Sequence, residues 1–377
     1  MGLSQIGNAG WQSLKRRLPR GFRRRSFLRQ QLPAEMVGGG WASLLCAQPA
    51  IIGSWPTNRF PLGVASALGP WLHGAPIEFL IMPTWAWELP EVAESILAAV
   101  ADHVRKHPRH RFSFLCNSSS QEGRLAGAGW PVTTLNWNMF INESFFRPLP
   151  EIEPIYDAIY NARLSPDKRP ELAAEIERLC LVYFYNALEG SVASFHDAHA
   201  RLRALMPGAT FLNRLTAGGC ERLSRGDVNR AMNRSRIGLC LSAVEGQMQA
   251  SMEYLMAGLP IVSTPSIGGR DYFFDAEYCA IVEPDPRLIR DAVAAMIQRN
   301  IPREHVRAQT MHRVERERAR FVHFVQNLIE RRGGRTDFAA IFPGLLRDER
   351  LIPWVHDFRE FARRVDRAML SGDLNAG

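Results

Sequence analysis

The stretch 237–271, IGLCLSAVEGQMQASMEYLMAGLPIVSTPSIGGRD, constrains the fold more than any other. It opens with a short apolar run, residues 237–241, of the length and character of a buried parallel strand. A small polar turn then leads to Glu245 and Gly246. Met248, Met252, Leu255 and Met256 follow at i, i+4, i+7 and i+8, one apolar stripe at helical period. Gly258 and Pro260 sit where such a helix should stop, and residues 259–263 form another apolar strand. Strand, loop, helix and strand in this order make the repeating unit of a parallel α/β sheet.

Ligands of such sheets lie at the carboxyl ends of the strands, often on a helix N-terminus. Glu245 is expected there, and Gly246 allows close backbone approach. The amides of Gln247, Met248 and Gln249 are first-turn donors able to hold phosphate oxygens. Glu253 comes eight residues after Glu245, about two helical turns on, so the two acids can flank one ligand. A carboxylate there accepts two hydrogen bonds from a ribose or sugar diol. A bare pair of glutamates has a plainer reading, two solvated helix charges, and the surroundings decide between them.

The segment EGQMQASMEYLMAGLPIVST resembles the donor-site signature of the large retaining glycosyltransferase group with the GT-B fold (glycosyltransferase family 4, group 1 type): E-G-x-x-x-x-x-x-E-x-M/L-x-x-G-x-P-V/I-V. The resemblance implies that Glu245 lies near the donor sugar and Glu253 on the nucleotide ribose. Where that group has Gly three residues after the first Glu, this chain has Met248. A second resemblance appears at 162–168, ARLSPDK, which is similar to the group's G-R-L-x-x-x-K with Ala162 in place of Gly. Arg163 and Lys168 keep the spacing. Two cations fixed at a strand end stabilise the charge that grows on a nucleotide diphosphate as its glycosidic bond breaks; taken alone they would be solvated loop charges.

With 377 residues the chain is long enough for two ordinary domains. It has no apolar run of transmembrane length. The six cysteines are scattered, with no CxxC and no His/Cys cluster at metal spacing. They read as buried thiols of a reducing compartment, which places the chain in the cytoplasm. Nearly all of the net charge of +8 sits in residues 1–35, where eight basic residues between Lys15 and Arg29 face Glu35 alone. Three readings fit this arm: peripheral contact with anionic membrane through residues 15–29, nucleic-acid contact, which ranks last, and a solvated tail. The twin-arginine look of Arg24-Arg25-Ser26-Phe27-Leu28 fails as an export signal, because the following QQLPAEMVGGG is too polar.

The expected order is a disordered basic arm (1–38), a Rossmann-like acceptor domain (39–150), a Rossmann-like nucleotide-sugar domain (151–335) and a helical crossover (336–377). In the first domain, strands at 77–82, 111–116 and 131–135 surround a helix at 88–106. The aromatic and Asn-rich TLNWNMFINESFF suits sugar contact or, more plainly, core packing. His73, His107 and His110 are acceptor-side acid/base candidates, with His110 expected to be solvated in a charged turn. Proline-rich 148–154 is the linker. Beyond it come a strand at 155–162, a helix at 170–179, a strand at 181–185, a helix at 194–205 capped by Ser194, a strand at 209–213 and a helix at 224–233. After 271, a strand at 279–282 precedes a helix at 286–298 with Leu288, Ala292, Ala295 and Met296 on its inner face. Gly268-Gly269-Arg270-Asp271 is a flexible turn that touches the sugar or merely connects. A long charged helix at 303–330 and a last helix at 355–370, with Phe358, Phe361, Ala362, Val365 and Met369 inward, complete the chain.

The fold class expected is therefore α/β: GT-B, two Rossmann-like domains facing a cleft, with parallel sheets and a C-terminal helix crossing back to the first domain. The activity the resemblance implies is hexosyltransferase-like transfer of a sugar from a nucleotide-diphosphate sugar to an acceptor hydroxyl, with retention of configuration. Glu245, Arg163 and Lys168 are the expected catalytic residues; Glu253, Gly246, Gln247, Met248 and Gln249 would bind substrate. No cofactor is expected, and the lack of a D-x-D motif points to a metal-independent reaction. The acceptor, whether glycan, lipid or protein, is not legible. Two competing readings are a non-catalytic nucleotide-sugar-binding protein of the same fold and a nucleic-acid-binding protein acting through the arm.

Overall fold

The computed structural model describes residues 40–374 apart from 58–59, 70, 73, 85–86, 128, 188–189 and 347–350. His73 and the basic arm lie outside the described residues.

Two six-stranded sheets form the framework. The first contains β1 (Gly40–Cys46), β2 (Ala50–Ser54), β3 (Ile77–Ile81), β4 (Arg111–Cys116), β5 (Val132–Thr134) and, from the far end of the chain, β14 (Trp354–Val355), in the order β14-β1-β2-β3-β4-β5. Strands β2 to β5 run parallel. Strand β1 is antiparallel to both its neighbours, so an antiparallel edge is added to the expected parallel sheet. The β1–β2 hairpin escapes sequence reading because nearly all its residues are buried on both faces, leaving no polar alternation to mark it.

Side chains on one face of this sheet, among them Ile52, Phe79, Phe112 and Phe114, pack with the helices Val64–Leu68 and Pro90–Lys106 and with the last helix, Phe358–Ser371. That last helix buries Phe358, Phe361, Ala362, Val365 and Ala368 against the first sheet, so the C-terminal crossing is present. Met369, also expected inward, is half-buried and packs against the same cluster.

The second sheet is wholly parallel. It holds β6 (Tyr156–Asn161), β7 (Leu179–Val182), β8 (Thr210–Phe211), β11 (Ser235–Cys240), β12 (Ile261–Ser263) and β13 (Cys279–Ile281), in the order β13-β12-β11-β6-β7-β8. A small hairpin, β9 (Leu215–Thr216) and β10 (Gly219–Cys220), stands apart. The order reverses between β6 and β11, the mark of a doubly wound sheet.

Local expectations fail here where tertiary pairing overrides propensity. Residues 170–179 are not a helix: a single 3-10 turn, Pro170–Ala173, is followed by β7, whose Leu179 pairs with Ala158. The strand expected at 181–185 therefore begins two residues earlier. Ser191, not Ser194, caps the helix Val192–Leu205, accepting from the Ser194 amide. The helix Pro286–Gln298 turns Ile289, Val293 and Met296 inward and leaves Leu288 exposed.

The other face of the first sheet does not close on itself. Leu45, Ile51, Leu80 and Leu115 belong to the same continuous core as β6, β7, β11 and β12 of the second sheet. What joins them is the long helix Arg303–Arg331, whose Val306, Val314, Phe321, Val325, Leu328 and Ile329 are buried in that core. Phe321 sits among Phe140, Phe338 and Phe342, with ring centroids 4.9–5.8 Å apart. Arginines of the helix fasten the seam. Arg307 donates to the carbonyls of Phe146 and Met256, both at 2.6 Å. Arg318 donates to Ile141 at 2.7 Å and pairs with Glu143 at 2.9 Å. Just past the helix, Arg332 pairs with buried Glu78 on β3 at 2.7 Å.

His110 is fully buried rather than solvated, its Nε2 donating to Leu72 O and its Nδ1 sharing a hydrogen bond with His103 Nε2, each at 2.9 Å. With His103 and His107 it forms a packed trio against Phe79 and Phe112, away from the candidate site described below. Burial, reinforced by the neighbouring His107 and His110, lowers the His103 pKa to about 3.

Two outcomes follow for stability. Phe321→Ala should cost about 3–5 kcal/mol, and urea unfolding followed by backbone dichroism and by tryptophan fluorescence should shift to lower midpoints together, because both domains share that core. Two separated transitions would contradict a shared core. Because the folded His103 value lies below its ordinary 6.5, its contribution is complete above that pH and is lost as pH falls toward 3, at up to about 1.4 kcal/mol per pH unit per proton; melting curves between pH 7 and pH 4 check this.

Candidate active site at the strand switch point

Strands β6 and β11 are neighbours in the sheet but far apart in sequence, and the crevice beyond their carboxyl ends is where a doubly wound sheet binds ligands. The loop after β6 carries Arg163 and Lys168; the loop after β11 carries Glu245. Lys168 Nζ and Glu245 Oε1 form a direct ion pair, and both side chains are nine-tenths buried. Ser242 Oγ donates to the same carboxylate oxygen at 3.0 Å. Tyr160 on β6 donates its hydroxyl to the Lys168 carbonyl, fixing the turn that carries the ammonium. Arg163 pairs with Asp167 at 3.5 Å, and Asp167 lies 3.5 Å from Lys168 as well. Burial opposes ionisation of Asp167, yet the Ser165 side chain and the Lys168 and Arg163 cations hold its pKa below the ordinary value.

Glu253 lies on the helix Gln249–Met256 and accepts from Asn161 Nδ2, at the end of β6, at 3.2 Å. The next residue, Tyr254, accepts the Asn161 backbone N–H at 2.6 Å. The structure thus sets Lys168 on Glu245, Glu253 on the strand end two residues before Arg163, and Arg163 on Asp167. The helix begins at Gln249, with Met248 as its N-cap. The amides of Gln247 and Met248 accordingly belong to the loop rather than to the first helical turn.

Three asparagines that follow β4 and β5 reach across the seam, two to this loop and one to the 268–271 turn. Asn117, just after β4, donates to Gln247 Oε1 at 3.0 Å. Asn138 donates to the Met248 carbonyl at 3.2 Å, and Asn136 to the Gly269 carbonyl at 2.7 Å. The TLNWNM segment therefore closes the seam with polar contacts. Met248 is buried in the shared core. Trp55, Trp137, Phe145, Arg225, Gln249 and Glu253 line a cleft at the seam. The indole N–H groups of Trp55 and Trp137 are buried without an acceptor.

Two arginines order the floor of the site: Arg270, from the turn marked in the sequence, and Arg169, which no motif marked. Arg270 is fully buried, its guanidinium donating to the Ser242 carbonyl at 2.7 Å and to Thr264 O while pairing with Asp271 at 2.7 Å. Arg169 donates to Leu241 O at 2.6 Å and Thr264 Oγ1 at 2.8 Å. Both tie the carboxyl ends of β11 and β12 together. The turn 268–271, expected to be flexible, is pinned: the Gly269 amide donates to Gly246 O at 2.7 Å. Gly268 has φ +117° and faces the Glu245 carbonyl so closely that a Cβ would overlap it. A Gly-Gly pair followed by Arg-Asp at a strand end is the signal that marked this turn.

Among the described residues no group of three His, Cys, Asp or Glu is placed to hold a metal ion, and no helix is long and apolar enough to cross a membrane.

No family model and no curated protein matches the chain. Solved structures do. HepE of Anabaena in complex with UDP-glucose is similar at 14% identity over 74% of this chain and 78% of that one, with a TM-score of 0.53; the same protein with UDP gives 14%, 74%, 77% and 0.50. A sucrose-phosphate synthase from Thermosynechococcus elongatus is similar at 15% identity over 68% and 72%, with a TM-score of 0.47, too distant to carry weight. The likeness shows the fold: two Rossmann-like α/β domains of the GT-B type.

Removing one partner of a buried ion pair strands the other charge, at about 3–5 kcal/mol. Lys168→Met and Glu245→Gln should each destabilise by that order, while the double variant should cost clearly less than their sum. A urea-unfolding cycle measures the coupling; additive losses would mean that the two groups do not interact.

Proposed function

We propose that this chain is a glycosyltransferase that moves a sugar from a nucleotide-diphosphate sugar to an acceptor hydroxyl, with retention of anomeric configuration. The observation that carries the reading is the meeting of Lys168 and Glu245 at the switch point of the second sheet, with Glu253 beside the end of β6. Lys168 and Arg163 would hold the diphosphate and stabilise its charge as the glycosidic bond breaks; the amides near Gly246 would add donors. Glu253 would take the ribose diol. Glu245 would meet the transferred sugar once the arriving phosphates draw Lys168 from it. HepE is solved with UDP-glucose and with UDP, which makes a UDP-sugar the first donor to test. The absence of a D-x-D motif supports a reaction that proceeds without metal.

Asn117, Asn136 and Asn138 bridge the seam beside the Glu245 loop. Donor entry would require these contacts to part, while the long helix holds the domains together. A second reading, a nucleotide-sugar binder without turnover, is favoured by Met248, whose buried side chain fills the position where the resembled group has Gly.

Thermal melting with UDP, GDP, ADP and their sugars identifies the donor, since a ligand of the native state raises its melting temperature. Glu253→Ala should weaken nucleotide binding about tenfold or more. Lys168→Ala should lower the transfer rate on the order of a hundredfold or more, and EDTA should leave the rate unchanged. Slow donor hydrolysis distinguishes the enzyme from the inert binder. Wild-type transfer by both variants would refute the site.

A further inference from the structure

A second hollow lies on the same seam, beyond the pinned turn. It encloses about 340 Å³ between Tyr272, Phe273, Arg313, Arg316, Glu317 and Arg320. Its three arginines stand at i, i+3 and i+7 of the long helix, hence on one face. Like charges so placed repel unless something compensates them, and the charges at hand do so only in part.

Arg313 is held by the carbonyls of Tyr272, Phe273 and Phe274 at 2.8–3.2 Å, with Asp275 at 3.8 Å. Arg320 pairs with Glu317 at 2.8 Å and also donates to Thr134 O at 3.2 Å, at the carboxyl end of β5. The buried Glu317 carboxylate accepts a further bond from the Tyr272 hydroxyl at 2.7 Å. That single carboxylate is therefore taken. Arg316 is 59% exposed, and its nearest carboxylate oxygen, Glu317 Oε1, is 3.9 Å away, beyond hydrogen-bonding reach. A guanidinium fork open to solvent, with two fixed guanidinium groups beside it, matches an oxyanion with two or more oxygens.

The hollow is placed to serve the candidate active site. Tyr272 directly follows the turn whose Gly268 and Gly269 rest on Glu245 and Gly246. Arg320 of the hollow's lining bonds Thr134 O, two residues before the Asn136 that bonds Gly269. The hollow thus lies beside the turn that packs on Glu245 and next to the carboxyl end of β5.

We propose that this groove binds the anionic group, a phosphate monoester or a carboxylate, of the acceptor. That role rests on the glycosyl-transfer reading; the oxyanion site itself does not. Arg316 anchors the anion, Arg313 and Arg320 supply field from fixed positions, and the acceptor's hydroxyl extends past the 268–271 turn toward Glu245.

The test is thermal melting of the full chain with glucose 6-phosphate, glucuronate, inorganic phosphate or glucose, at matched ionic strength, with and without saturating UDP to occupy the donor site. With UDP present, glucose 6-phosphate or glucuronate should raise the melting temperature by about 2 °C or more, and glucose should not. Arg316→Ala, a change on the surface, should remove that rise while leaving the rise due to UDP intact. The sugar phosphate and the uronate distinguish the two sources of the anion. An equal rise with glucose, a rise that survives Arg316→Ala, or a rise with inorganic phosphate but neither charged sugar would overturn the proposal. If a charged sugar shifts the protein through Arg316 while no nucleotide shifts it, the donor reading falls and the oxyanion site stands.

Discussion

The long helix Arg303–Arg331 is the constraint on which the rest of the structure depends. Its apolar side chains lie in a core to which both sheets contribute. Its arginines satisfy backbone carbonyls of the 139–146 segment, which would otherwise be stranded at a buried seam. Burial supplies the driving force, and the guanidinium contacts set the register. A helix with this many charges looks solvated in sequence. Here much of the charge on its inner side is spent on carbonyls and on Glu143.

The second sheet supplies the geometry for chemistry. Reversal of strand order between β6 and β11 opens a crevice, and the cation and the acid that meet there come from loops 77 residues apart. A buried ion pair is weak evidence for stability, because desolvation offsets its attraction. On the proposed function the pair keeps a cation ready for phosphate and an acid ready for sugar. Arg169 and Arg270 hold the strand ends beneath the pair, so the floor is rigid while the asparagine contacts above it are few and partly polar. Regions with few apolar contacts open locally at low cost, and on the proposed function the donor enters there.

Much of the framework was legible in the sequence. Strand β4 and the bounds of the helix Pro286–Gln298 fall where the sequence put them, though that helix turns another face inward, and the strand–loop–helix around Glu245 differs only at its edges. Failures have particular causes. The β1–β2 hairpin is buried on both faces and shows no alternation. Residues 170–179 have helical composition, yet pairing of Leu179 with Ala158 takes precedence. His110 sits in a charged stretch, but the backbone turns it under Leu72. Arg270 reads in sequence as part of a flexible turn, because its acceptors, Ser242 O, Thr264 O and Asp271, meet it only in the fold.

The sequence by itself determined the α/β periodicity of the second half and placed an acid, a glycine and two cations at strand ends, because those signals span only a few residues. The tertiary structure alone decided that Lys168 faces Glu245, that Asn117, Asn136 and Asn138 close the seam over them, and that β14 returns to the first sheet. Such contacts join segments many tens of residues apart. They are set by sheet order and by the helix through the shared core, and no local pattern of side chains encodes either.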